Sequence, residues 1–458
     1  MTEQFKEQGG AATMDPSRFR RWLSSVIGRR ACSPARLEKQ RARVERARRK
    51  ACDPHVVEYF HQAEDGYSHL AAQVLQQLCQ RYDIELVCHL VRGPSGKNAA
   101  EPELLLQLSR YDAFHVGPAY GLQFPHHPDP PDPSLVALAT GVLAAQDSAG
   151  FIESAPHIGD ALWSGDAARL QGLADSLGAA SEGEREARLD AGTARRDELG
   201  HYSGAMFHYG GEWYWGVDRL YHLERRLAAL GADLEPEEPL LVPRPALEAG
   251  PRRDNGSLTL EVYPSLRSPY TSIAFDNAVK LAQDTGVRLV VRPVLPMVMR
   301  GVPLAREKSL YILADTKREA GEAGVPFGDF YDPIGNPVRR CYSLYPWACQ
   351  MGRGNELLSS FLAAAFARGI NTNTRHGLRQ VVETAGLDWR EAQAHMGEPG
   401  WEEILETNRL AMYEAGLWGV PSFRLLNERG EQVLALWGQD RLWLFAREIQ
   451  RQLEDRQR

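Results

Sequence analysis

The 458-residue chain contains no apolar run approaching the roughly 18 to 20 residues of a membrane-spanning helix, so no membrane partner is expected. It has only six cysteines (Cys32, Cys52, Cys79, Cys88, Cys341 and Cys349), none in a Cys-x-x-Cys or zinc-like pairing. A locally written dithiol centre or metal site is thereby excluded, and each cysteine is expected to be a buried free thiol. The N-terminus lacks a secretory core, because Trp22 to Ile27 is short, polar and flanked by basic residues, which points to the cytoplasm. Net positive charge is absent too: at -7 the chain is a poor general nucleic-acid binder. What is present is core material, 43% hydrophobic residues with ten Trp, sixteen Tyr and fourteen Phe, in a length that suits two or three domains.

Charge is unevenly spread. Residues 18 to 50 form a basic arm, with thirteen Arg or Lys against only Glu38 and Glu45. Its second part, Pro34 to Lys50, is rich in helix formers and reads as a solvated helix or a disordered tail, the alternative being a docking segment for RNA or an acidic surface. Pro125 to Pro133 and Asp233 to Ser257 read as loop or linker. The division expected is an arm (1–50), a first domain (51–231), a linker (232–257) and a second domain (258–458).

The two halves resemble each other. Residues 56–91 align without a gap on 259–294, with eight identities in 36 positions, among them Glu58 with Glu261 and Tyr67 with Tyr270. Gly200 to Phe207 lies over Gly416 to Phe423, and Trp215-Gly216-Val217-Asp218-Arg219-Leu220 mirrors Trp437-Gly438-Gln439-Asp440-Arg441-Leu442. Three blocks in one order argue for an internal duplication. Each half opens with a β-rich run, a helix and a second β-rich run (Val56 to Phe60 and Ile84 to Val91; Leu258 to Tyr263 and Val287 to Val294). In the second half, helical patterns follow near 309–323, 355–368, 374–385 and 401–415, then a hairpin (422–426, 431–437) and a closing helix. A βαβ unit, a helical insertion and a ββα ending describe an α/β chain of two tandem thioredoxin-like domains, each with an inserted helical subdomain.

Two places in the second half suit chemistry. Ser268-Pro269 at the first strand-to-helix turn combines a favoured N-cap with a favoured first helical residue, which puts Ser268 at the positive end of the helix. Thioredoxin-type folds keep a reactive sulfur there because amide donors stabilise a thiolate. The alternative is a plain cap. Val420-Pro421 precedes a strand, where proline marks an edge or turn and a cis bond is expected; a turn proline is the bland reading.

Ser268-Pro269-Tyr270, Val420-Pro421 and Trp437 to Leu442, in that order around a helical insertion, resemble the 2-hydroxychromene-2-carboxylate isomerases and kappa-class glutathione transferases, of the DsbA-like branch of thioredoxin folds. The resemblance spans residues 258–458, with a worn version over 55–231. It implies glutathione as cofactor or substrate, with Ser268 activating its sulfur, Val420 beside Pro421 pairing with its backbone, and Gln439 and Asp440 receiving the γ-glutamyl end. The family's Lys and Asn after the second strand are not both present: Arg300 stands in for the Lys, and no Asn follows. The resemblance further implies a small electrophilic substrate and an intramolecular pseudo-dimer of the two halves, the alternative being two independent halves joined by the linker.

The first half departs from this pattern. Asp65-Gly66 replaces Ser268-Pro269, and Ala205 replaces Pro421, so no glutathione is expected there: a carboxylate caps a helix but repels a thiolate. Because Trp-Gly-x-Asp-Arg-Leu persists in both halves, Asp218 and Asp440 are also expected as N-caps of the closing helices, a structural role. Arg267, next to Ser268, would favour a thiolate. His126, His127, Asp129 and Asp132 make a weak metal candidate on a Pro-rich loop, and Tyr342, Tyr345 and Trp347 read as core or pocket wall. The competing functions are a non-catalytic thioredoxin-fold scaffold and a thiol-disulfide oxidoreductase relative, with Ser268 and Thr271 where Cys-x-x-Cys would place its sulfurs.

Overall fold

A computed structural model describes residues 14–125, 129–302 and 304–455. His126 and His127 lie outside the described residues. The chain divides into two compact units, one of Leu37–Pro245 and the other of the described residues up to Arg36 together with those from Ala246.

The basic arm is helical. Helix α1 (Arg18–Ala31) starts where the Ser17 side chain accepts the Arg20 amide. Helix α2 (Pro34–Ala51) has proline at its first position and buries no residue, and the division between units falls within it. In the first unit Arg41 grips Glu212 with two bonds of 2.7 and 2.8 Å.

The first unit continues with β1 (Val56–His61), α3 (Gly66–Ala72), α4 (Leu75–Arg81) and β2 (Glu85–Leu90). Five inserted helices follow, α5 to α9 (Pro102–Val116, Pro133–Ala144, Ser148–Trp163, Ala167–Leu177 and Glu182–Glu198). The unit ends with β3 (Met206–Tyr209), β4 (Glu212–Trp215) and α10 (Gly216–Ala229). The single helix expected after β1 is in two pieces. At the break the Gln73 amide exchanges hydrogen bonds with the backbone of Gln123, donating at 2.8 Å and accepting at 3.0 Å.

The second unit contains β5 (Thr259–Tyr263), α11 (Pro269–Thr285), β6 (Arg288–Val291), inserted helices α12 to α17 (Arg306–Glu322, Asn336–Gln350, Gly354–Phe366, Arg375–Thr384, Trp389–His395 and Trp401–Glu414), β7 (Ser422–Leu426), β8 (Gln432–Trp437) and α18 (Leu442–Asp455). Four of the inserted helices match the expected segments. Helices α13 and α16 were not expected, and α13 carries Pro346 in its interior.

Both sheets have one architecture, β2-β1-β3-β4 and β6-β5-β7-β8, with the first pair parallel and the others antiparallel. The registers agree as well. Glu58 pairs with Val87 and His208, while Glu261 pairs with Val290 and Arg424, as the gapless alignment requires. Each central glutamate is buried and ion-paired, Glu58 with Arg195 at 2.8 Å and Glu261 with Arg292 at 2.7 Å. Apolar side chains fill the core under each sheet. Tyr59, Leu70, Phe207 and Tyr214 are buried in the first unit, and Val262, Phe275, Phe423 and Phe445 in the second, at about 1.5 to 3 kcal/mol for each large side chain removed from water.

The cysteines divide differently from expectation. Cys32, Cys88 and Cys341 are buried, Cys79 is half-buried, and Cys52 and Cys349 are exposed. Cys52 follows the last turn of α2 and Cys349 lies in the last turn of α13, where the chain turns outward. The closing motif is also a correction. Helix α10 begins at Gly216 with Trp215 as its cap, so Asp218 is in the first turn, and α18 begins only at Leu442, beyond Asp440. The shared feature is instead an arginine folded back on the preceding backbone: Arg219 donates to Asp218 O at 3.2 Å and Arg441 to Asp440 O at 3.3 Å.

Candidate functional site

The turn from β5 to α11 puts Ser268 where its residue type predicts. Ser268 is the N-cap, with extended backbone, and its Oγ accepts the Thr271 amide at 3.1 Å. Pro269 needs no amide at the first helical position. The hydroxyl proton points to Val420 O at 3.3 Å, long for a bond between oxygens and easily exchanged for another acceptor. Ser268 and Val420 are half-buried, whereas Pro421 is buried.

The Val420–Pro421 peptide is cis. Its surroundings account for the neighbouring glycine: a Cβ on Gly419 would stand 2.3 Å from the Trp437 indole, which leaves no room for a side chain. Trp418 and Trp437 pack with ring centres 4.9 Å apart. Gly438 N donates to Pro421 O at 3.0 Å, joining the Trp437 to Leu442 segment to the same loop. Ser268, Val420 and Pro421 are therefore brought together by hydrogen bonds that link three separate parts of the chain.

The remaining predicted residues are engaged elsewhere. Gln439 is buried and donates to Glu319 at 2.8 Å, and Asp440 pairs with Arg441 at 3.3 Å. Arg300 is buried too, with its Nε donating to Leu295 O at 3.1 Å. Burial lowers its guanidinium from the usual range, and the Tyr413 hydroxyl of α17 opposes this. Asp132, from the metal candidate, caps α6 by accepting the Ser134 amide at 2.7 Å.

Three contacts behind the site were not visible as motifs. Arg267 is tied to Asp332 at 3.0 and 3.3 Å, so its charge is met by a carboxylate before it reaches Ser268. Asp332 is fully buried, which alone would raise it, but Arg267 and its hydrogen bonds hold it below the usual carboxylate range. Tyr342 is core, as expected, and also a clamp: its hydroxyl accepts the Leu266 amide at 3.1 Å and donates to Val294 O at 3.0 Å. Tyr270 donates to Asp315 at 2.8 Å, and in the first unit Tyr67 donates to Asp112 at 2.6 Å, so the alignment holds well past its last identity. Carrying the same spacing beyond residue 91 would have revealed that last pair.

The matching turn of the first unit has another chemistry. Asp65 caps α3, accepting the Ser68 amide at 3.0 Å and the Ser68 hydroxyl at 2.9 Å. Burial pushes its carboxyl up to about 6 against these hydrogen bonds. His61 and His69 nearby are fully buried, and burial lowers them to about 3 and about 4. At the position of Pro421, Ala205 takes a left-handed φ of 54°, while Gly216 N still donates to Ala205 O at 2.7 Å.

A cleft of about 530 Å³ lies between α11 and α14, lined by Phe275, Asp276, Asn355, Glu356, Arg368 and Thr384, and does not include Ser268. Among the described residues no helix is long and apolar enough to cross a membrane.

No curated protein matches the chain in sequence. In fold it is similar to a 2-hydroxychromene-2-carboxylate isomerase structure, at 21% identity over 43% of this chain and 97% of that one, with a TM-score of 0.36. The cytosolic disulfide reductase DsbM from Pseudomonas aeruginosa matches at 21% identity over 43% and 99%, with a TM-score of 0.34. A thioredoxin-like oxidoreductase from Silicibacter pomeroyi matches at 17% identity over 46% and 94%, with a TM-score of 0.28. Residues 259–450 match the model of the DSBA-like thioredoxin domain, and this stretch of the chain is such a domain.

Proposed function

We propose that the second unit is a glutathione-dependent isomerase or transferase of the 2-hydroxychromene-2-carboxylate isomerase and kappa-class type, and that the first unit is a duplicated copy without that site. The observation behind this reading is the Ser268 hydroxyl at a helix N-terminus, 3.3 Å from the carbonyl before a cis proline. Glutathione, when bound, supplies a thiolate nucleophile for a small electrophile.

The chain's own residues then have separable tasks. Ser268 turns its proton from Val420 O to the sulfur, while the α11 amides and dipole add positive potential near neutral pH. Val420 offers its backbone to an extended tripeptide in the manner of strand addition. The fit is good at these two residues and poor at Gln439, whose amide is held by Glu319. Arg267 contributes little free charge because Asp332 meets it.

None of the six cysteines stands at the Ser268 turn, so a dithiol oxidoreductase is the weaker alternative. Titration of the intact protein with glutathione tests the proposal. Binding with a rise in thiolate absorbance, diminished by Ser268→Ala in a folded protein, is the expected outcome. No binding at millimolar glutathione would leave a thioredoxin-fold scaffold.

A further inference from the structure

Helix α1 is built inside out. Its buried face is polar or small: Arg21, Ser25 and Gly28. Arg21 donates to Asp332 O at 3.1 Å and to Ile334 O. Ser24 donates to Asp332 Oδ2 at 3.0 Å, and Ser25 Oγ accepts the Asp332 amide at 3.0 Å. Gly28 lies against the Phe330 ring, where a Cβ would meet it at 2.3 Å. The outward face is apolar, with Phe19 67%, Trp22 49%, Leu23 41% and Ile27 44% exposed. Phe19 and Trp22 sit with ring centres 5.9 Å apart. At about 100° per residue these four side chains form one contiguous stripe.

A soluble helix places such a stripe in the core, and single exposed apolar residues elsewhere need no account. Here the arrangement is enforced from the other side, because Arg21, Ser24 and Ser25 are committed to the Asp332 loop. The helix contains no acidic residue, and Arg18, Arg20 and Arg30 border the stripe together with Arg29, which stands 3.8 Å from Asp329. Trp, Phe and aliphatic residues on one face with an arginine border suit an anionic lipid surface, where rings enter the headgroup boundary and the arginines meet phosphate. A second copy docked helix to helix would oppose arginines with arginines, which disfavours that occupant.

We infer that α1 is an interfacial helix that docks the protein peripherally on anionic lipid bilayers through Phe19, Trp22, Leu23 and Ile27. This replaces the expectation that the chain has no membrane partner. The inner face of the helix grips Asp332, and Asp332 holds Arg267 beside Ser268, so docking ties the candidate site to the lipid surface through two side chains.

The test is flotation of the intact protein with vesicles of equimolar phosphatidylglycerol and phosphatidylcholine, against phosphatidylcholine alone, at low and high salt. Binding to the anionic vesicles, weakened by salt and reduced about tenfold or more by Phe19→Ser with Trp22→Ser, supports the inference. Leu247→Ser, which removes an exposed apolar side chain from the same unit outside α1, serves as the control and should leave flotation unchanged. Circular dichroism and the melting temperature show whether each variant is folded. Absence of flotation, or equal losses in the double variant and the control, would overturn it. So would a wild-type dimer that the double variant converts to monomer in light scattering, which would assign the stripe to a second copy.

Discussion

At the strand-to-helix turn the two units differ in what faces the helix amides. The second unit has Ser268, half-buried, with one exchangeable proton; the first has Asp65, buried and locked to Ser68. Opposite these residues, a cis Val420–Pro421 peptide stands in one unit and Ala205 in a left-handed conformation in the other. The backbone bond behind both, from Gly438 to Pro421 and from Gly216 to Ala205, is the same. The sheet and this backbone bond are thus common to both units, while the side chains facing the helix amides differ.

This contrast can be broken at several levels. The shared frame should respond alike in both units. Replacing Glu58 or Glu261 by Ala takes a charge-assisted hydrogen-bond partner from a half-buried arginine, Arg195 or Arg292, and each change should destabilise its own unit by about 2 kcal/mol in denaturant unfolding. A large loss in one unit and none in the other would show that the common register does not reflect common energetics.

The differing residues should respond unequally to pH. The Asp65 carboxyl is raised by burial, so its contribution to stability is present below its unfolded value of about 4 and lost as pH rises through about 6. Asp65→Asn keeps a capping oxygen, and should stabilise the first unit by about 2 kcal/mol at pH 8 with little effect at pH 4. His61 and His69 act in the opposite sense. Their lowered values give stability that is full above about 6.5 and falls as the pH drops toward about 4 and then about 3, so acid should weaken the first unit overall. Thermal melts across this range test both statements.

Ser268→Ala should have the smallest effect on stability. Loss of the bond to the Thr271 amide costs about 1 kcal/mol, and the loss should not vary with pH. A much larger loss would mean that the Val420 contact is structural.

Much of this frame was legible in the chain. The gapless alignment anticipated that the β1–β2 and β5–β6 registers would be equivalent, because parallel pairing of a βαβ unit is set by apolar alternation and helix length. The Ser268 cap and the cis proline were legible because both residue types have narrow local preferences. Other features depend on partners distant in sequence. Helix α13 was missed because Pro346 reads as a breaker, yet buried Tyr342, Leu344 and Trp347 hold it helical. Asp332 looks like any loop carboxylate until Arg267, Ser24 and Ser25 converge on it. The engagement of Gln439 by Glu319, and the inverted faces of α1, likewise exist only once the fold has formed.

The most direct test is a glutathione titration of the intact protein beside its Ser268→Ala, Pro421→Ala and Asp65→Ala variants, read by ultraviolet thiolate absorbance and by heat. The expected result is a single binding site per chain, thiolate formation reduced by Ser268→Ala, affinity reduced by Pro421→Ala, and no change on replacing Asp65. Two equivalent sites, or binding that survives both changes in the second unit, would contradict it.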